Sequence, residues 1–176
     1  MYRIPLSLIC LLLWLGGGGF SLAAGQTAPA ADTSALDPAA AFDFWVGDWE
    51  VIWYAPDSTL VRGSNRIEKI LDGRVLQETF SDPTRQFYGR SLSVYQPRIG
   101  EWRQAWADNQ GGYYDFVGWV GEERRIFFTT VPNARGELYR MVFGDITADA
   151  FTWDWQVMAA GAEGWVTLWR IDYRRR

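Results

Sequence analysis

The chain has no histidine, one lysine (Lys69) and one cysteine (Cys10). Without an imidazole, Ser-His-Asp and Cys-His nucleophilic catalysis are excluded, and so are metal sites built on histidine. Acid–base chemistry is left to Asp, Glu, Tyr or Lys69. A carboxylate in that role needs burial or a like-charged neighbour to lift its pKa toward neutrality. Asp108-Asn109 and Asp115 offer oxygen atoms, but their spacing matches no calcium loop. No metal and no cofactor are therefore expected.

The single cysteine falls in a segment that reads as a secretory signal. Arg3 precedes an apolar run over 4–15, and small residues follow to Ala23-Ala24-Gly25, with cleavage after Ala23 or Gly25 fitting equally well. Residues 1–25 are read as this signal and Gln26 as the start of the mature chain. The apolar run is shorter than the roughly 20 residues that a span needs, so no stable membrane span is expected after cleavage. The implied location is secreted or periplasmic. Loss of Cys10 leaves no disulfide to form, although the compartment permits one. Stability must come from packing. Loss of Arg3 leaves 16 of the 17 basic side chains against 21 acidic ones, a net charge of −5. That balance argues against a nucleic-acid partner, and the Arg174–Arg176 run reads as a solvated chain end.

What the chain has in abundance is tryptophan: 11 residues, ten of them after the signal, enough to bury a large area in one domain. Residues 26–37 are rich in Ala, Thr and Pro without periodicity and read as a flexible leader. Asp37-Pro38 then makes a helix start, and 39–45 one or two turns, ended by Gly47. Beyond Gly47 the pattern alternates. Strands are expected over 48–54, 61–71, 74–80, 87–96, 101–108, 113–120, 124–131, 137–146, 151–158 and 165–173, joined by turns such as Asp72-Gly73 and 97–100. The domain over 38–176 is thus all-β: an up-and-down antiparallel β-barrel of about ten strands with a short N-terminal helix. Closure would remove the exposed edges. A two-sheet sandwich is the alternative, but it calls for longer links than these.

The motifs Phe42-Asp43-Phe44-Trp45-Val46-Gly47-Asp48-Trp49, Gly63-Ser64-Asn65-Arg66-Ile67, Leu76-Gln77-Glu78, Gly89-Arg90-Ser91-Leu92-Ser93-Val94-Tyr95 and Trp102-Arg103-Gln104-Ala105-Trp106-Ala107-Asp108 give the first half of the domain a family character. They resemble the DUF1579-type family of uncharacterised domains; the second half matches more loosely, through Trp155 and Tyr173. The resemblance implies a calycin-like barrel, akin to lipocalins and nitrobindins, and no particular reaction. The wider calycin group binds small apolar ligands, holds haem in its nitrobindin-like branch and includes occasional enzymes. This chain departs from the haem branch, because only Tyr or Met could ligate iron.

Candidate site residues follow from the two-residue period. Trp102, Gln104, Trp106 and Asp108 share one face, either an apolar pocket wall with polar handles or a packed core. Glu78, between Leu76 and Phe80, becomes a buried carboxylate if that face points inward, and it then needs a partner. Arg140 and Arg170 are candidates for that pairing, which would either anchor a ligand carboxylate or lock the strands. Asn65 alternates with Ile67. Arg90 shares a face with Tyr88, Leu92 and Val94, reaching inward or snorkelling at the rim. Asp48 and Glu50 are expected to face solvent. Trp119, Trp153 and Tyr114 are further wall candidates.

Three functions remain open. The leading expectation is a binding protein for a small, largely apolar or aromatic molecule inside the barrel, oriented by Asn65, Glu78, Gln104 and Arg140. The second is a cofactor-free isomerase, cyclase or hydrolase with Glu78 or Asp108 as general acid or base. The third is an envelope interaction protein using exposed aromatics.

Overall fold

The computed structural model describes residues 37–176. Residues 1–25, expected to be a signal, and all but the last residue of 26–37, expected to be a leader, lie outside the described residues. Two short 3₁₀ turns, Pro38–Ala40 and Asp43–Trp45, lead into ten strands: β1 Gly47–Tyr54, β2 Leu60–Ile70, β3 Val75–Asp82, β4 Phe87–Gln96, β5 Glu101–Asp108, β6 Tyr113–Val120, β7 Arg125–Phe128, β8 Leu138–Gly144, β9 Ala150–Met158 and β10 Val166–Arg175. Each pairs antiparallel with its sequence neighbour, and β1 pairs with β10, so the sheet closes into an up-and-down barrel. Closure leaves no unpaired edge. Among the described residues no helix is long and apolar enough to cross a membrane.

Most strand bounds coincide with the alternation and punctuation of the sequence. The main exception is β7, expected over 124–131 and ending at Phe128. Thr129 still bonds Tyr139 through its backbone N–H, but Pro132 has no N–H to extend the ladder. The Asp72-Gly73 hairpin turns with Leu71, Asp72 and Gly73 all at positive φ (49°, 58° and 77°). The expected N-terminal helix is the pair of 3₁₀ turns, begun as expected by Asp37, whose Oδ1 accepts from the Ala39 N–H at 2.9 Å.

Those turns close one end of the barrel. Phe42 stacks on Phe127 (centroids 4.5 Å) and meets Trp102 edge-on (5.0 Å), while Trp45 meets Phe143 (5.2 Å). The backbone here is tied down by side chains from the wall: Trp102 Nε1 donates to the Pro38 carbonyl (2.8 Å), Trp49 Nε1 to Trp45 (2.8 Å) and Arg125 Nε to Ala41 (3.0 Å). Lys69 holds Asp43 at 2.7 Å. Fully burying each such aromatic side chain is worth about 2–3 kcal/mol. A ten-stranded barrel is wider than the eight-stranded kind that side chains just fill. With the aromatic plug filling one end, the spare width lies toward the other.

Candidate functional site

The interior beyond the plug holds a cavity of about 290 Å³. It reaches the 109–112 turn, where exposed Gln110 stands at its mouth. Its walls are aromatic: Trp106 of β5, Trp153 and Trp155 of β9, Trp169 of β10, with Phe80, Phe87, Tyr114 and Phe116 between them. The rings brace one another. Trp155 stacks on Tyr139 (5.2 Å, 9°) and meets Tyr114 edge-on at 5.4 Å, and Trp153 stands perpendicular to Trp169 at 5.8 Å. Such edge-to-face and offset pairs each add about 0.5–1.5 kcal/mol beyond burial and fix the wall's shape.

The polar groups sit at mid-barrel. Glu78 and Tyr173 line the cavity together. Asn65 Nδ2 donates to Glu78 Oε1 (2.7 Å) and to the Tyr173 hydroxyl oxygen (2.9 Å), and the Ser91 hydroxyl donates to Glu78 Oε2 (2.6 Å). Gln104 Nε2 extends the chain, donating to Ser91 Oγ (3.2 Å) and Ser93 Oγ (2.9 Å). Four adjacent strands, β2 to β5, thus each put a polar side chain on the inner face, and β10 supplies the phenol. No arginine meets Glu78. Burial in this apolar setting therefore pushes its carboxyl from 4.5 up to about 7, against the lowering effect of the Ser91 and Asn65 hydrogen bonds. Burial also lifts the Tyr173 phenol well above its ordinary value, with the nearby Glu78 charge adding to the rise. Asn65 Oδ1, Gln104 Oε1 and Trp169 Nε1 are buried without a hydrogen-bond partner among the described residues.

The mouth is shaped by turn chemistry. Asp108 Oδ1 accepts from the N–H groups of Gln110 and Gly112, both at 2.9 Å, and its Oδ2 accepts from Trp106 Nε1 at 3.1 Å. Asp108 thereby orders the turn and aims a wall indole; its acceptor sites are engaged, which leaves Glu78 the better placed acid or base. Asp82, fully buried, accepts from Arg85 Nε at 2.6 Å, and the Arg85 guanidinium lies over the Trp169 ring at 4.9 Å.

Of the sequence candidates, the barrel brings Asn65, Glu78 and Gln104 into one network and puts Trp106 and Asp108 at the cavity. Three candidates go elsewhere. Trp102 is on the expected inner face but at the plugged end, its indole N–H spent on Pro38. Arg90 is exposed on the outer face of β4 with Tyr88 and Leu92, because the inner face of that strand is Gly89, Ser91 and Ser93. Arg140 also lies outside: its Nε donates to Gln156 (2.6 Å) and its guanidinium covers the Trp165 ring (4.3 Å). Arg170, the other proposed partner of Glu78, instead grips Asp154 with two 2.7 Å hydrogen bonds on the outer face. Trp119 is exposed as well. Asp48 is exposed and half-buried Glu50 pairs with Arg62 at 2.8 Å, on the solvent side as expected.

Sequence reasoning missed Tyr173, Trp155 and Trp169 as site residues. Tyr173 reaches Asn65 across 108 positions of sequence, and no local pattern announces such a contact. Trp169 is set by a β-bulge: the register shifts between Thr167 and Trp169, so Thr167 bonds outer-face Gln156 while Trp169 pairs with Trp155 inside. The density of tryptophan along β9 and β10 was the available signal.

No protein-family model matches the chain, and no curated protein matches it either.

Proposed function

We propose that the protein binds a small, largely apolar or aromatic molecule inside the barrel, in the secreted or periplasmic setting that the N-terminal segment implies. The observation that carries this reading is the aromatic-walled cavity with a buried carboxyl at its floor. An apolar cavity of about 150 Å³ holds benzene, so 290 Å³ suits about two fused rings. Small-molecule sites are mostly apolar with a few placed polar groups, and Glu78 and Tyr173 are such groups here. The calycin-like resemblance belongs to the same proposal and rests on the motifs between Phe42 and Asp108.

Titration with 1-naphthylmethanol, a neutral two-ring probe, tests the reading by calorimetry and tryptophan emission. One-to-one binding with a change in emission is expected, since four indoles line the site. Heats of dilution alone, with emission unchanged, for this probe and for its amine and carboxylate counterparts would refute it. A second reading, a cofactor-free isomerase, cyclase or hydrolase, is supported by one specific observation: Glu78, raised to about 7, is poised for proton transfer near neutral pH. Turnover that Glu78→Gln abolishes while probe binding persists would favour it.

A further inference from the structure

The sign of charge in the cavity restricts what enters it. Its lining includes two carboxyl groups, Glu78 at the floor and Asp108 at the mouth, and no lysine or arginine. Arg85, in the turn between β3 and β4, is bound to Asp82 at 2.6 Å with its guanidinium over Trp169. Four indoles line the cavity, and an indole face carries the negative pole of its ring quadrupole, which attracts a cation. Both oxygens of Glu78 act as acceptors, and the unpartnered amide atoms beside it, Asn65 Oδ1 and Gln104 Oε1, are acceptors too. An alkylammonium is three donors and no acceptor. A carboxylate ligand would meet like charge and no lysine or arginine in the lining to pair it.

We infer that the ligand is an organic amine: an aromatic or alicyclic body of about two rings bearing an ammonium group that Glu78 receives among the indole faces. The inference rests on the binding reading above and adds the class of the polar head. The titratable groups around Glu78 are Tyr173 from β10 and, toward the mouth, Tyr114 and Asp108; Asn65, Ser91 and Gln104 are neutral. None supplies a positive charge, so a bound ammonium would be the cation that Glu78 lacks. Entry of that cation favours the ionised carboxylate and expels the proton which Glu78 holds part of the time near neutral pH.

Three probes of matched size separate the possibilities: 1-naphthylmethylamine, 1-naphthylmethanol and 1-naphthoate, each titrated into the protein by calorimetry at pH 7 in phosphate and in Tris. The amine is expected to bind about tenfold or more tighter than the alcohol, as a desolvated cation on aromatic faces and a carboxylate should, and the naphthoate weakest. Amine binding should release a fraction of a proton, seen as a buffer-dependent heat that the alcohol lacks. Glu78→Gln should erase both the amine's advantage over the alcohol and the proton release, since a neutral amide can neither attract the ammonium nor lose a proton to it. An alcohol that binds as tightly as the amine, a naphthoate that binds as tightly as the alcohol, or an amine preference that survives Glu78→Gln would overturn the inference and leave the binding reading standing. The wild-type buffer comparison decides the matter even if the variant does not fold. Failure of all three probes would overturn both.

Discussion

Replacing Glu78 by Gln should change how the stability of the barrel depends on pH, by an amount the structure sets. Burial holds the Glu78 carboxyl at about 7, against 4.5 for the free group. Below pH 4.5 it is neutral in both the folded and the unfolded chain, and its contribution is fully present. As pH rises, the unfolded chain ionises first, so stability falls from about pH 4.5 until the folded carboxyl also ionises near pH 7, then levels off. At about 1.4 kcal/mol per pKa unit this loss is about 3 kcal/mol. A glutamine side chain in its place cannot ionise and should escape the loss. The replacement's own side chain can be satisfied: its carbonyl accepts from Ser91, and a half-turn of the Asn65 amide offers Asn65 Oδ1 to its new N–H groups. Thermal unfolding of both proteins at pH 5 and pH 8 makes the comparison, because every other titrating group is common to the pair. For a domain of this size the melting temperature of the wild type should drop by about 10 °C more than that of Glu78→Gln between those pH values. Parallel melting curves, with the same drop in both, would show that Glu78 is not held neutral by burial and would remove the basis for its role at the cavity floor.

Other perturbations probe the plug, the wall and the outer face. Phe42→Ala, at a fully buried ring stacked on Phe127, should cost about 3–5 kcal/mol in urea unfolding; a loss under about 1 kcal/mol would mean the plug does not support the barrel. Gly89→Ala places a Cβ against the Trp106 ring, so Trp106 must swing away. Affinity for 1-naphthylmethanol should fall by about tenfold, as a change of about 1.4 kcal/mol in a tight pocket would give, and an unchanged affinity would place the ligand elsewhere. Asp154→Asn weakens a bidentate pair in which the Arg170 side chain is 61% exposed but that of Asp154 only 10%, so stability should fall by about 1–3 kcal/mol and probe affinity should not change. A large loss of probe affinity would implicate the outer face.

The barrel itself was legible because each strand is bounded by its own punctuation. Gly100, Gly111-Gly112 and Pro97 delimit β5 and its neighbours, and the alternation of Trp102, Gln104, Trp106 and Asp108 kept its period through the fold. Glu78 was legible for a related reason: Leu76 and Phe80 share its face and had nowhere to go but inward. On β4 the cue pointed the wrong way. Between the inward Phe87 and Tyr95, the larger apolar residues are Tyr88 and Leu92, yet they are exposed with Arg90, while Gly89, Ser91 and Ser93 face in. Small residues belong there because the neighbouring inner positions are bulky: the Trp106 ring lies over Gly89, and Glu78 and Gln104 reach Ser91 and Ser93. Size complementarity between strands is a tertiary property, and one strand's pattern does not contain it. The same holds for Tyr173, whose place beside Asn65 exists only once β10 has closed on β1.

Isotope-filtered nuclear Overhauser spectroscopy on the complex with 1-naphthylmethylamine tests the central claim most directly. Met141 and Ile171 place methyl groups in the cavity wall, whereas Leu92 and Leu168 carry theirs on the exposed surface. The account predicts cross-peaks from the naphthyl protons to the Met141 and Ile171 methyls. Cross-peaks confined to Leu92, Leu168 or other exposed side chains would contradict it.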